Sequence, residues 1–189
     1  MFTEYRIDRN SRITWVCGNW DASTTRNGAS QLTSSSVIGR LLWDFVSGRD
    51  TRDYLQAIFH WAHGHDITLH MSYRCDTPEE ERYYRMSVRR AGDDEVGVKH
   101  RLLQRITAPN PPQFSLHDGQ DSSARCSVCC RYQVGDAWID PYRTGDQMWM
   151  RGPFTVCPDC RGTALDTIRY SLSADISNRY GPNGPGTAN

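Results

Sequence analysis

Two pairs of cysteines carry the clearest chemistry in this chain. Cys126-Ser-Val-Cys129 and Cys157-Pro-Asp-Cys160 both have CxxC spacing, and 27 residues separate them. A CxxC turn sets two thiolates about one metal ion apart, and two such turns close a tetrahedron of sulfurs. Zn²⁺ asks only for that geometry, binding thiolate at about 2.3 Å with no redox requirement. Four thiolates also suit iron, in a rubredoxin-like site or a cluster. Free thiols or disulfides are the bland alternative, and a reducing compartment disfavours the disulfides. The surrounding segment of about 45 residues is too small to fold readily on its own apolar core, so metal binding would supply folding free energy.

The other chemistry-bearing residues point less sharply. Cys130 directly follows the first pair and could stand in for Cys129, but the CxxC spacing favours Cys129, leaving Cys130 as a small side chain beside the site. Cys17, on an expected strand, and Cys75, near a strand end, read as buried small apolar residues. His60, His63, His65 and His70 fall within eleven residues. His60 adjoins Phe59 on the apolar side of an expected helix and reads as a partly buried structural side chain. His65 and His70 fit a loop and a solvated strand face, and a second metal site from these histidines is the competing reading. No Ser, His and Asp are arranged to pair a nucleophile with a base. Dinucleotide and phosphate-loop patterns are absent. A zinc site made of four cysteines has no open position of the kind catalytic zinc keeps. No enzymatic activity is expected.

Charge narrows the partners. Lys+Arg and Asp+Glu are both 22 in 189 residues, and Lys99 is the single lysine. This balance disfavours a globally basic nucleic-acid binder. Between residues 121 and 170 six Arg face six Asp, without the positive excess that phosphate neutralisation requires. Arg82, Arg85, Arg89 and Arg90 form a positive strip, but Glu79, Glu80 and Glu81 precede it and Asp93, Asp94 and Glu95 follow. That pattern reads as a solvated, internally compensated sheet face. No run approaches 18 apolar residues, so no membrane helix is expected. Met1 to Asn10 lacks the apolar stretch of a signal peptide, and a cytoplasmic protein is expected.

The elements that must position these residues follow from periodicity. Ile13, Trp15 and Cys17 alternate with Thr14 and Val16, a short strand. Apolar residues at 38, 41, 42, 45 and 46 predict a helix over Val37 to Val46. Asp50 is placed to cap the next helix, whose apolar face is Leu55, Ile58, Phe59 and Ala62, with Gly64 as its stop. Three two-periodic runs follow, centred on Ile67–Tyr73, Tyr84–Val88 and Val96–Leu102. Short connections make them an antiparallel meander with one polar face. Helices against one face of an antiparallel sheet define an α+β fold. Farther on, Ala137-Trp-Ile-Asp140 and Met148-Trp-Met150 read as the two strands of a hairpin between the cysteine pairs.

This order resembles a PAS domain, a sensory fold with a five-stranded antiparallel sheet. Val37-Ile-Gly-Arg-Leu-Leu-Trp-Asp-Phe-Val46 and Tyr73-Arg-Cys-Asp-Thr-Pro78 resemble segments of a bacterial subgroup of small PAS proteins. That subgroup also ends in a paired-cysteine module, matched here by Cys126-Ser-Val-Cys129 and Cys157-Pro-Asp-Cys160. The resemblance covers roughly residues 11–106 and 124–165. Cys130 and the histidine-rich stretch depart from the pattern. The resemblance implies a PAS-like sensory domain over 1–107 and a zinc-ribbon-like module with a C-terminal helix over 124–172; Pro and small polar residues make 108–123 read as a linker, and 173–189 reads as a disordered tail. It also implies a ligand held between sheet and helix, with Trp15, Trp43, Phe59, Met71, Tyr73, Tyr84 and Met86 as candidate liners. Haem-binding PAS relatives place an axial His on the long helix, where His60 and His63 stand here. The same residues, Phe45 included, also fit a plain core.

The expected function is that of a cytoplasmic regulatory protein. A PAS-like domain would sense a small ligand or mediate homodimerisation or contact with a protein partner, and Cys126, Cys129, Cys157 and Cys160 would hold structural Zn²⁺. One alternative is a redox or gas sensor with iron on the four cysteines or haem in the cavity. Another is a zinc ribbon that contacts nucleic acid or the transcription machinery.

Overall fold

Phe2–Ile7 (β1) and Ile13–Gly18 (β2) pair antiparallel and form one end of a five-stranded sheet. The computed structural model describes residues 2–108, 114–115, 123–144, 148–149 and 152–180. After β2 come the helix Trp20–Arg26 (α1), the single turn Ser34–Val37 (α2) and the long helix Arg49–Gly64 (α3). Leu69–Arg74 (β3), Glu80–Arg90 (β4) and Val96–Thr107 (β5) then form the expected meander. The sheet order is β2-β1-β5-β4-β3, antiparallel throughout. β1 lies between β2 and β5, with Tyr5 and Ile7 buried inward and Glu4 and Arg6 on its outer face.

The inner face holds the core. Ile7, Ile13, Leu69, Val88, Val96 and Val98 are fully buried and meet Ile58, Phe59 and Ala62 from α3. Burying a side chain of that size stabilises by about 1.5–3 kcal/mol. The expected apolar stripe of α3 is therefore the stripe it uses. α3 begins after Gly48, whose φ of +84° suits glycine, and Asp50 lies inside the first turn instead of capping it. There its carboxylate accepts from Thr155 and pairs with Arg161 at 3.2 Å.

Three local expectations are corrected. No helix spans Val37 to Val46, because Ile38 is extended and Gly39 has φ +86°, which ends α2 at Val37. The chain bridges Leu41 to Arg12 and makes only a 3-10 turn at Leu42–Asp44. Cys17 and Trp15 do not face the core. The register slips between Arg6 and Ile7 opposite Thr14, which turns Ile13 inward but Trp15 and Cys17 outward. Cys75 is exposed as well, just beyond the end of β3.

The C-terminal part is built from short pieces. Phe114–Ser115 (β6), Arg125–Cys126 (β7), Tyr132–Val134 (β8) and Ala137–Ile139 (β9) precede the turn Pro141–Thr144 (α4). Met148–Trp149 (β10), Phe154–Thr155 (β11) and the helix Pro158–Tyr180 (α5) follow. The hairpin is β8 with β9, turning at Gly135 with φ +59°, and not 137–140 with 148–150. β10 pairs parallel with β6. A four-stranded sheet β11-β7-β8-β9 carries the first cysteine pair. α5 runs to Tyr180, past the expected boundary at 172, and the sequence from 181 lies outside the described residues. Most of the expected linker, 109–113 and 116–122, lies outside them too.

Candidate metal centre

β7 delivers Cys126, the turn after it delivers Cys129, and the start of α5 delivers Cys157 and Cys160. Pro158 suits the first helical position, since its missing N–H would have no partner there. The positive end of the helix dipole then faces the thiolates. All four sulfurs lie within 4.8 Å of one another, and Cys129 Sγ is 3.7 Å from Cys157 Sγ. A regular tetrahedron with bonds of about 2.3 Å has sulfur–sulfur edges of about 3.8 Å. The four cysteines could hold one metal ion.

The backbone supports the same arrangement. The N–H groups of Val128 and Cys157 both donate to Cys126 Sγ, at 3.4 and 3.3 Å. Cys126 and Cys157 are fully buried, whereas Cys129 and Cys160 are partly exposed. Among the four bare thiols, hydrogen bonds from Cys129 and Cys160 make Cys126 strongly acidic. Its hydrogen-bonding partners Cys129 and Cys160 are pushed up in turn. Metal binding would displace the thiol protons. Cys130 stands apart: its φ is +61°, and its buried thiol donates to the Arg74 carbonyl at 3.3 Å. Burial pushes that thiol up to about 11.

The centre is bolted to the sheet through the end of β3. The Arg74 N–H donates to Val128 O at 2.7 Å. Its buried guanidinium pairs with Asp76 at 2.7 Å, Glu81 at 3.1 Å and Asp140 beyond β9. Burial opposes its charge, but the hydrogen bonds it donates to Asp140 and Asp76 outweigh this and raise its pKa. Thr51 and Ser127 hydroxyls meet at 2.6 Å, which ties α3 to the first cysteine turn. Sequence reasoning missed this joint. Arg74 and Asp76 both stand in the Tyr73-Arg-Cys-Asp-Thr-Pro78 segment, but their partners Glu81 and Asp140 carry no local signal.

A cavity of about 150 Å³ lies between the sheet and α3. Met71, Tyr73 and Met86, three of the candidate liners, border it together with Thr51, Tyr54, Leu55 and His100. Ser127 and Val128, from the first cysteine turn, complete its wall. Tyr73 Oη lies 2.9 Å from His100 Nδ1, and burial pushes His100 down to about 4. Four expected liners are elsewhere. Trp15 lies on the outer face with Arg6 over its ring, Trp43 and Phe59 stack together in the core, and Tyr84 stacks behind Tyr73.

The histidines do not converge. His60 is exposed, His65 stacks on Trp61 and bonds its carbonyl, and His70 meets Ser87 at 3.0 Å. Burial lowers His63. Among the described residues the four cysteines are the group gathered closely enough for a metal. No helix is long and apolar enough to cross a membrane among those residues. No protein-family model matches the chain, and no curated protein matches it in sequence.

Proposed function

We propose that this chain is a non-catalytic regulatory protein of the PAS type. The five-stranded sheet and α3 form its sensing or dimerising half, and a cysteine module folded on one structural Zn²⁺ closes over the β3 edge. The observation that carries the reading is the double use of one turn. Ser127 and Val128 sit between Cys126 and Cys129, and both also wall the cavity beside Met71, Tyr73 and His100. A small ligand there touches the turn that the metal shapes, so cavity occupancy and module docking are coupled. Four protein ligands leave the metal no open position, which supports a structural role and no catalysis.

Elemental analysis of the purified native protein tests the metal half of this reading. About one Zn per chain with negligible Fe is the expected result. Substantial Fe overturns it and favours a redox centre. Native mass spectrometry tests the sensory half: a retained small molecule is expected, and it should be lost from a Met71→Trp variant that fills the cavity. Bare protein in repeated preparations counts against a ligand.

A further inference from the structure

The outer face of the five-stranded sheet concentrates positive charge that the whole-chain balance conceals. Register places Arg6 beside Gly97 and Arg89 in one row, and Glu4 beside Lys99 and Ser87 in the next. A third row reads Phe2, Arg101, Arg85, Ser72. Across these three rows five cations, Arg6, Arg85, Arg89, Lys99 and Arg101, share the face with one carboxylate, Glu4, while farther along β4 Glu81 is taken up by the buried Arg74. Glu4 is committed to Arg89 at 3.6 Å and Lys99 at 3.8 Å, and Arg6 reaches Glu95 at the rim, at 3.5 Å.

Arg85 and Arg101 stand directly opposite each other on β4 and β5, both exposed, and neither forms an ion pair among the described residues. Like charges directly opposite on neighbouring strands are destabilising. The chain avoids this cost at its other facing pair, since Arg82 and Arg105 share Glu80 at 2.9 and 4.0 Å. The compensation expected for the arginine strip therefore reaches Arg82, Arg89 and Arg90 but not Arg85. An uncompensated pair of this kind suits an anion supplied by a partner.

We propose that this face binds single-stranded nucleic acid, with the phosphates on Arg85, Arg101, Arg89 and Lys99. Cations on adjacent strands stand about 5 Å apart, and those two residues apart along a strand about 7 Å apart. Such steps can follow successive phosphates of an extended strand. Two aromatic rings border the cations. Trp15 is 36% exposed under Arg6, and Phe2 lies under Lys99. Rings beside guanidinium groups are the stacking platforms that single strands use. A second copy of this chain fits less well, because a two-fold contact through the face would set these cations against themselves. The proposal does not depend on the regulatory reading above.

Fluorescence anisotropy with a labelled 12-nucleotide oligo(dT) or oligo(U), using full-length metal-loaded protein over a salt series, tests it. Four phosphate contacts give a log–log salt slope of about −2.8. The double variant Arg85→Gln/Arg101→Gln should weaken binding by about an order of magnitude and cut the slope by about 1.4. Trp15→Ala should weaken binding about tenfold with the slope unchanged, because stacking releases no counterions. Arg105→Gln, on the opposite face, should bind like the parent. Circular dichroism and melting temperature confirm that each variant is folded. Absence of binding at 50 mM salt, or an unchanged slope in the double variant, overturns the proposal. Displacement by poly-glutamate at equal charge concentration also overturns it and assigns the face to an acidic protein.

Discussion

The N–H of Arg74, the last residue of β3, donates to the carbonyl of Val128 at 2.7 Å, so the edge strand of the sheet ends on the turn between Cys126 and Cys129 of the candidate metal centre. The Arg74 carbonyl accepts from the Cys130 thiol, and its guanidinium reaches Asp140. One residue thereby gives its backbone and its charge to the same joint. At the free edge of β3 the hydrogen bond to Val128 caps the strand end and α5 packs alongside.

Replacing Arg74 with Met should therefore be severe. It leaves Asp76, Glu81 and Asp140 without their shared buried cation. Removing one partner of a buried ion pair destabilises by about 3–5 kcal/mol. Urea unfolding measures it, and a loss below about 1 kcal/mol would mean that Arg143, 3.5 Å from Glu81, takes over the role.

Cys157→Ser should release the metal and loosen the module over 124–165 while the five-stranded sheet persists. Hydrogen exchange should rise at Cys126–Cys130 and at the Arg74 amide, which loses its acceptor when the turn opens. Cys130→Ser should retain the full metal content, because its sulfur lies outside the cluster. Metal analysis of the two variants decides: an unchanged content in the first, or a depleted one in the second, reassigns the ligands.

Gly48→Ala should weaken the docking of the module. The φ at Gly48 is +84°, and a Cβ there would fall on the Phe154 carbonyl of β11. With ψ 126° as well, this backbone conformation alone costs about 1–3 kcal/mol for a residue with a side chain. A lowered melting temperature, with faster exchange at Thr155 and Ser127, is expected. A neutral result would show that β11 can move away from α3.

His100 should make stability fall with acid. Burial holds its folded pKa near 4, against about 6.5 in the unfolded chain. Between these values the unfolded chain binds the proton and the folded chain does not. This contribution is complete above pH 6.5, declines as pH falls, and is gone below pH 4. It amounts to at most about 3 kcal/mol. Denaturant titrations from about pH 7 to 4 should show a shallower decline in His100→Gln than in the parent, and parallel curves would contradict this.

The sequence alone determined the features with local or short-period signatures. The double CxxC spacing picked out the four sulfurs that the structure gathers. Alternation in 67–102 located the meander, and Leu55, Ile58, Phe59 and Ala62 marked the buried stripe of α3, because strand and helix periods are properties of the local chain. Tertiary structure decided what depends on register and on pairing across the chain. The slip opposite Thr14 turned Trp15 and Cys17 to solvent, and Gly39 in the left-handed region broke a helix that apolar spacing alone suggested. β10 paired with β6 and left the hairpin to β8 and β9. Arg74 met Asp140 across 66 residues, and Arg85 met Arg101 directly across neighbouring strands. Such pairs are chosen by how strands align in space, and neither composition nor net charge records that alignment.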